Sequence, residues 1–389
     1  MPEKIMVVDD EPDLESLIKQ KFRRQIRGGE FEFVFAHNGL EALAKLLEHP
    51  EVSLVLSDIN MPEMDGLTLL GKINELKNPA IKTVMVSAYG DMDNIRTAMN
   101  RGAFDFLTKP VDFNDMEMTI NKTLEQLLIL KQAMKEHDLL ISIQHDLSVA
   151  RSIQLAILPK VFPPFPEIKE FDIYASMNAA KEVGGDFYDF FLIDHDRLGF
   201  VIGDVSGKGV PAAIFMAVSR TLIRATALKG IGAGECMTYV NNLLCNESVS
   251  SMFVTVFYAI LNIHTGVVEY SSAGHNPPYL MKSTGEIIEI EKTGGIVLGA
   301  LEDYEFKSGT VKMEAGDNIF MFTDGVTEAF NVADELYSEE RLEALLRELK
   351  GKELKEVVDS VNKDVDLYST GVPQSDDITV LAIKYLKPV

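Results

Sequence analysis

From Asn114 to Leu158 the chain runs without a glycine or a proline, and no other feature constrains its architecture more. So long an unbroken helical stretch reads as a connector, with a folding unit at each end. Pro159 to Pro166 (PKVFPPFP) closes it with a cluster of helix breakers. Two domains and a connector are the natural division of 389 residues. The expected boundaries are 1–125, a helical or coiled-coil connector over 126–158, and 159–389.

Before the connector, short apolar runs alternate with amphipathic helical patterns. The runs are Ile5–Val8, Phe31–Phe35, Val52–Leu56, Thr83–Val86 and Phe104–Leu107, and stretches such as Asn38–Glu48 and Asp91–Arg101 lie between them. This alternation predicts an α/β, flavodoxin-like domain with a parallel sheet of order 2-1-3-4-5, covered on both faces. After the breakers the pattern changes to alternating strands and hairpins. Met252–Ile263 and Val267–Ser272 flank a short turn, and helical stretches cover about Val210–Leu228, Gly234–Asn246, Ser338–Leu349 and Leu354–Leu367 before a last strand, Ile378–Ile383. These elements predict an α+β fold, an antiparallel β-sandwich flanked by helices. Within the connector, Leu140, Ile143, Leu147, Ala150, Gln154 and Ile157 follow a two-helix seam spacing, and Ile120, Leu127, Met134 and Ile141 keep a period of seven. A homodimeric coiled coil is the expectation; a helix packed on its own domains is the alternative.

The formal net charge is −23. That excludes nucleic acid as the main partner, since phosphate backbones are bound by basic surface. An acidic protein that handles phosphate does so through bound cations. The only cysteines, Cys236 and Cys245, make neither a zinc pattern nor a disulfide framework. No segment approaches roughly 18 consecutive apolar residues. A cytoplasmic protein without a membrane segment is expected.

Three carboxylates end strands in the first half: Asp9 and Asp10 after the first, Asp58 after the third. These strands are neighbours in the expected sheet, so their ends converge and the repulsion calls for a hard cation such as Mg²⁺. Ser87 ends strand four, and Lys109 follows strand five, where it can reach a phosphate. This is the inventory for forming an aspartyl phosphate. The segments VVDDEP, SDINMPEMDG, VSAYG and FDFLTKP resemble the receiver domain of bacterial two-component response regulators, over about 3–125. The resemblance implies that Asp58 is the phosphoacceptor. It also implies that Asp10, Asp58 and the Asn60 carbonyl hold Mg²⁺, with Asp9 one layer further out. Ser87 and Lys109 would grip the phosphoryl oxygens, and Phe106 would be the aromatic that turns inward on activation. A cognate histidine kinase or another phosphodonor is the implied partner.

The second half places aspartates beside glycines at strand ends: Asp186 in EVGGDFYDFF, Asp204 in VIGDVSGKG, Asp324 in MFTDGVTE and Asp376 in QSDDITVLAI. Carboxylates without His or Cys partners suit Mg²⁺ or Mn²⁺. Four could hold two ions, an arrangement that activates a water against a phosphate ester. The order and spacing of these motifs resemble the PPM superfamily of serine/threonine protein phosphatases, in its bacterial sigma-factor-regulator and sporulation branch. That resemblance includes the VARSIQLAILP segment and the AGHNPPYL loop. It implies that Asp204 bridges two Mn²⁺ or Mg²⁺ ions, that the Val205 carbonyl is a further ligand, and that Asp186, Asp324 and Asp376 complete the set. Gly325 would permit the turn that aims Asp324. Asp377, beside Asp376, is the other candidate ligand. Eukaryotic relatives carry a histidine where this sequence has Ser206, so the proton donor is open between water and His275.

Together the halves imply a response regulator. Phosphorylation of its receiver would control dephosphorylation of phosphoserine or phosphothreonine on a protein, of the anti-anti-sigma, partner-switching type. The coupling would run through the connector to the segment around Gly207–Ala213. The alternative is a pseudophosphatase adaptor that binds a sigma factor or other regulator without catalysis; such adaptors typically lack the metal aspartates.

Overall fold

A computed structural model describes residues 2–88, 90–247 and 252–386. The chain divides into two compact units, Met1–Ile143 and Gln144–Val389.

The first unit runs β1 (Glu3–Val8), α1 (Pro12–Lys21), α2 (Arg23–Arg27), β2 (Phe31–Ala36), α3 (Gly39–Glu48), β3 (Val52–Asp58), α4 (Gly66–Glu75), β4 (Lys82–Ala88), α5 (Met92–Asn100) and β5 (Asp105–Lys109). The N-terminal part of α6 (Phe113–Ile157) follows. The sheet order is β2-β1-β3-β4-β5, parallel throughout. Every residue of β3 is buried, which is why a central strand covered on both faces reads as a continuous apolar run rather than an alternation. Two helices that begin at the carboxyl ends of the strands are capped by their own sequence. Asn38 accepts the Glu41 N–H at 2.8 Å, and Asp65 accepts the Thr68 N–H at 2.7 Å. Met116 and Ile120 of α6 join the core of this unit, and Leu127 is buried as well.

The second unit holds the end of α6, then β6 (Phe171–Asn178), β7 (Phe187–Leu192), β8 (Arg197–Val205), α7 (Val210–Ala227) and α8 (Ala233–Glu247). There follow β9 (Val254–Asn262), β10 (Val267–Ala273), β11 (Tyr279–Met281), β12 (Ile287–Glu289), β13 (Gly309–Lys312) and β14 (Asn318–Phe322). The chain ends with α9 (Asp324–Thr327), α10 (Glu339–Glu348), α11 (Leu354–Tyr368) and β15 (Ile378–Tyr385). Two five-stranded antiparallel sheets form, β13-β10-β9-β8-β7 and β12-β11-β14-β15-β6. Alternation along β15 builds two cores. Leu381 and Ile383 face the core shared with the other sheet, α7 and α8, while Val380 and Ala382 face α10 and α11.

Helix α7 is long and apolar enough to cross a membrane by composition. It nevertheless packs into this domain. Arg220 and Arg224 each reach the fully buried Asp189 of β7 at 2.9 Å.

The connector departs from a simple seam. Ile120 and Leu127 lie in the first unit's interior, whereas Met134 and Ile141 are exposed. At the other end Gln154 is buried against the second unit, where it bonds to Gly184. Leu139, Leu140, Ile141 and Ile143, between these ends, are exposed. Phe253, within the apolar run Met252–Ile263, is also exposed. It precedes β9, and its N–H and carbonyl are both taken by Ser206.

Candidate active site and phosphoacceptor pocket

In the first unit, Asp9, Asp10 and Asp58 each offer a carboxylate oxygen within 4.8 Å of the others. Asp9 and Asp58 are buried and Asp10 is exposed. The parallel register places the end of β1 beside the end of β3, so strand order alone makes the cluster. Burial raises the Asp9 pKa above the ordinary carboxylate value, against the opposing pull of the Glu11 N–H and of Lys109. Lys109 Nζ lies 2.7 Å from Asp58 Oδ2, 3.0 Å from Asp9 Oδ2 and 3.2 Å from Glu11 Oε1. Partial burial works against its charge, but the bonds to Asp58 and Asp9 outweigh this and hold its pKa above the usual lysine value.

Ser87 is fully buried, and its hydroxyl has no hydrogen-bond partner among the described residues. The Asn60 N–H donates to Asp58 Oδ1 at 3.3 Å, and the Phe106 ring is exposed on β5. An oxygen-only donor set with an uncompensated buried acid fits a hard divalent ion.

In the second unit, Asp186 precedes β7, Asp204 lies near the end of β8, Asp324 opens α9, and Asp376 comes two residues before β15. The four belong to one electrostatic neighbourhood. Burial, then the charges of Asp204 and Asp377, raise the pKa of Asp186 well above the usual value. Burial and the Asp324 charge push Asp204 up to about 7. Burial, Glu328 and Asp376 raise Asp324. Carboxylates that raise one another in this way form a donor set that divalent cations relieve. Among the described residues, no three of these aspartates bring oxygens as close together as the first unit's cluster does. The ring is wider than one ion's ligand sphere.

Several residues hold this ring, and among them sequence reasoning did not single out Thr323, Lys208 or Gly185. The Asp377 carboxylate is buried and engaged by backbone. Oδ1 accepts from Ala180 N–H at 2.8 Å, and Oδ2 accepts from Gly185 N–H at 2.6 Å and Asp186 N–H at 3.4 Å. Asp376 is partly exposed and lies 2.8 Å from Lys208 Nζ, which also donates to the Ser375 carbonyl at 2.5 Å. Thr323 donates to Asp186 Oδ2 at 2.7 Å and accepts from Thr379 N–H at 3.0 Å. The position of Gly325 follows from close approach: a Cβ there would overlap the Asp377 carbonyl oxygen. Gly185 likewise leaves room for the Val205 carbonyl, 2.8 Å from where its Cβ would stand.

Ser206, at the position of the eukaryotic histidine, and His275, the candidate proton donor beside water, each have a partner of their own. Ser206 Oγ accepts the Phe253 N–H at 3.0 Å. His275 is buried, its Nδ1 lies 2.9 Å from Thr255 Oγ1, and burial pushes its pKa down to about 4. A ring that is neutral and enclosed at pH 7 is a poor source of protons.

A doubly wound domain with an acid cluster at its strand ends, and a two-sheet sandwich carrying an aspartate ring, define a receiver joined to a PPM-type phosphatase fold. Residues 5–121 match the response regulator receiver domain, and residues 194–386 match Stage II sporulation protein E. The chain combines these two domain families. It is 30% identical over 266 residues to Protein IcfG of Synechocystis sp., covering 61% of this chain and 41% of that protein. It is 31% identical over 219 residues to phosphoserine phosphatase RsbU of Bacillus subtilis, covering 55% of this chain and 64% of RsbU. The chain thus spans less than two thirds of either relative's length. Among solved structures, the SiaA-PP2C domain of Pseudomonas aeruginosa superposes with a TM-score of 0.56 at 20% identity, over 63% of this chain and 97% of that domain. That likeness concerns the fold.

Proposed function

We propose that this chain is a two-component response regulator whose output is hydrolysis of phosphoserine or phosphothreonine esters on a protein. The observation that carries the reading is the convergence of Asp186, Asp204, Asp324 and Asp376 from four separate element ends onto one electrostatic neighbourhood. Similarity to RsbU, a phosphoserine phosphatase, supports it. Asp204, central to the ring, and the Val205 carbonyl would hold two Mn²⁺ or Mg²⁺ ions together with Asp186, Asp324 and Asp376. Bound there, the ions supply charge neutralisation and water activation for phosphate-ester cleavage. Asp377 and Thr323 hold the Asp186 loop in position. Lys208 brings a cation to the edge of the ring, where an anionic substrate arrives.

In the receiver, Asp58 would accept a phosphoryl group from a histidine kinase or another donor, beside Mg²⁺ held by Asp10, Asp58 and the Asn60 carbonyl. Lys109 and the Ser87 hydroxyl, unpartnered among the described residues, would take the phosphoryl oxygens, and the exposed Phe106 would turn inward. The substrate class we assign is a partner-switching regulator of the anti-anti-sigma type, in the cytoplasm. Residues 126–158 would serve as connector, and the exposed apolar residues from Leu139 to Ile143 would pair two copies of the chain.

Two measurements test this reading. Mn²⁺-dependent hydrolysis of p-nitrophenyl phosphate should be present in the wild type and lost in Asp204→Asn. Activity on a phosphoserine protein should differ between wild type and Asp58→Ala when both are given a phosphodonor; equal activity would end the case for control by the receiver.

A further inference from the structure

The VARSIQLAILP segment belongs to the family resemblance, yet none of the chemistry above uses its glutamine. A glutamine buried at the end of a connecting helix is costly unless both ends of its amide are bonded. Gln154 is 5% exposed, and both ends of its amide are bonded to one residue. Its Nε2 donates to the Gly184 carbonyl at 2.6 Å, and its Oε1 accepts the Gly184 N–H at 3.1 Å. Gly184 begins the Gly184-Gly185-Asp186 sequence that delivers Asp186 to the ring.

We infer that Gln154 is a positioning residue for the Asp186 loop: through its paired bonds the connecting helix sets how well the aspartate ring takes up divalent cations. This inference rests on the function proposed above and deepens it. The loop is gripped from two sides. Asp377 takes the N–H groups of Ala180, Gly185 and Asp186 from the strand side. Gln154 takes Gly184 from the helix side. A Cβ at Gly184 would overlap the Asp377 carboxylate, so glycine is what allows both side chains to close on the same backbone.

The two grips differ in kind. Asp377 adjoins β15 within the sandwich, whereas Gln154 sits on α6, the helix that the chain shares with its first unit. A paired donor and acceptor bond tolerates little sliding. A shift of one residue along a helix moves the amide by about 1.5 Å, enough to break both bonds.

The test uses the full chain and measures Mn²⁺ uptake by calorimetric titration, alongside hydrolysis as a function of Mn²⁺. The uptake lost in Asp204→Asn defines the contribution of the aspartate ring. Gln154→Met keeps the side chain's bulk and removes both bonds. It should weaken that uptake by about 10–100-fold, the usual effect of removing a group that orients a metal ligand. Its turnover should recover at high Mn²⁺, and exchange protection of the Gly184 and Gly185 amides should fall by roughly tenfold. Leu158→Ala is the packing control, since Leu158 is buried nearby in the same core. It should lower the unfolding temperature and leave Mn²⁺ affinity unchanged. Wild-type Mn²⁺ affinity in Gln154→Met, or an equal loss in Leu158→Ala, would overturn the inference while leaving the proposed function intact. Unaltered uptake in Asp204→Asn would refute the proposed function, and the inference with it.

Discussion

Asp376 and Asp377 are neighbours of identical chemistry but different surroundings, and the proposed function gives the first to the cation site while the second holds backbone. The separation can be measured by replacing each with alanine. Asp377 is buried and accepts two short backbone N–H bonds, from Ala180 at 2.8 Å and Gly185 at 2.6 Å, with a longer third from Asp186. Hydrogen bonds to a charged group contribute about 1.5–3 kcal/mol each, and the donors left behind would have no partner. Against this, removing Asp377 relieves repulsion on Asp186, whose raised pKa is due in part to it. The two strong bonds outweigh that relief, and a net loss of about 3 kcal/mol follows. Asp376, by contrast, makes a partly exposed ion pair with Lys208, worth about 0–1 kcal/mol.

Calorimetry on the full chain provides the assay, because the transition of the first unit serves as an internal reference. A loss of about 3 kcal/mol corresponds to a fall of roughly 6–12 °C in the second unit's transition. Asp377→Ala should show that fall, and Asp376→Ala should move it by no more than about 3 °C. Asp376→Ala should instead lower the affinity for Mn²⁺. If Asp376→Ala melts the domain while Asp377→Ala leaves its transition in place, the assignment is reversed and the backbone bonds to Asp377 do not carry the loop.

Further outcomes follow from other parts of the molecule. Asp189 is fully buried between Arg220 and Arg224, so Asp189→Ala strands two cations and should cost about 3–5 kcal/mol in urea unfolding of the second unit. Burial sets the folded pKa of His275 at about 4, below its unfolded value, so as the pH falls below about 6.5 the folded state binds fewer protons than the unfolded one. Its contribution to stability is whole above about pH 6.5 and is lost progressively toward pH 4, by about 3 kcal/mol in all. Stability curves of His275→Gln should lack that decline, and the pH profile of hydrolysis should show no inflection that the variant removes. Lys109→Ala takes away the cation shared by Asp58 and Asp9 and should slow phosphorylation of Asp58 by acetyl phosphate on the order of a hundredfold, as followed by phosphate-affinity electrophoresis.

What the sequence disclosed, and what it withheld, follow from the range of the forces involved. The receiver's strands were legible because a strand buried on both faces is mostly apolar with a few small hydroxyls, and the carboxylates at their ends stand out against that. The sandwich was legible in outline from alternation and turns. The connector was not. A seam spacing is the same whether the helix meets a second helix or its own domain, and only the polar Gln154 among the seam residues hinted at a backbone partner. Gly325 was expected to serve a turn, but what demands glycine is the Asp377 carbonyl, a residue 52 positions away in sequence. The fate of Ser206, which bonds Phe253, was equally hidden, because a hydroxyl's partner is set by the fold and not by its neighbours in the chain.

The charge of the molecule poses a last physical question. A chain with a net charge of −23 repels phosphorylated proteins at long range, yet the proposed function has both of its candidate sites handle phosphate. In each site one lysine stands against the acid cluster: Lys109 beside Asp9 and Asp58, and Lys208 beside Asp376. A single lysine cannot neutralise three or four carboxylates. Burial first, and neighbouring acidic groups after it, raise Asp9, Asp186, Asp204 and Asp324 above the ordinary carboxylate value. On the proposed function, both sites would recruit divalent cations and favour phosphate only once those cations are present. Approach of an acidic substrate then depends on ionic strength in a definite direction. Added monovalent salt should raise the association rate by screening the long-range repulsion, the opposite of what a basic phosphate-binding protein shows.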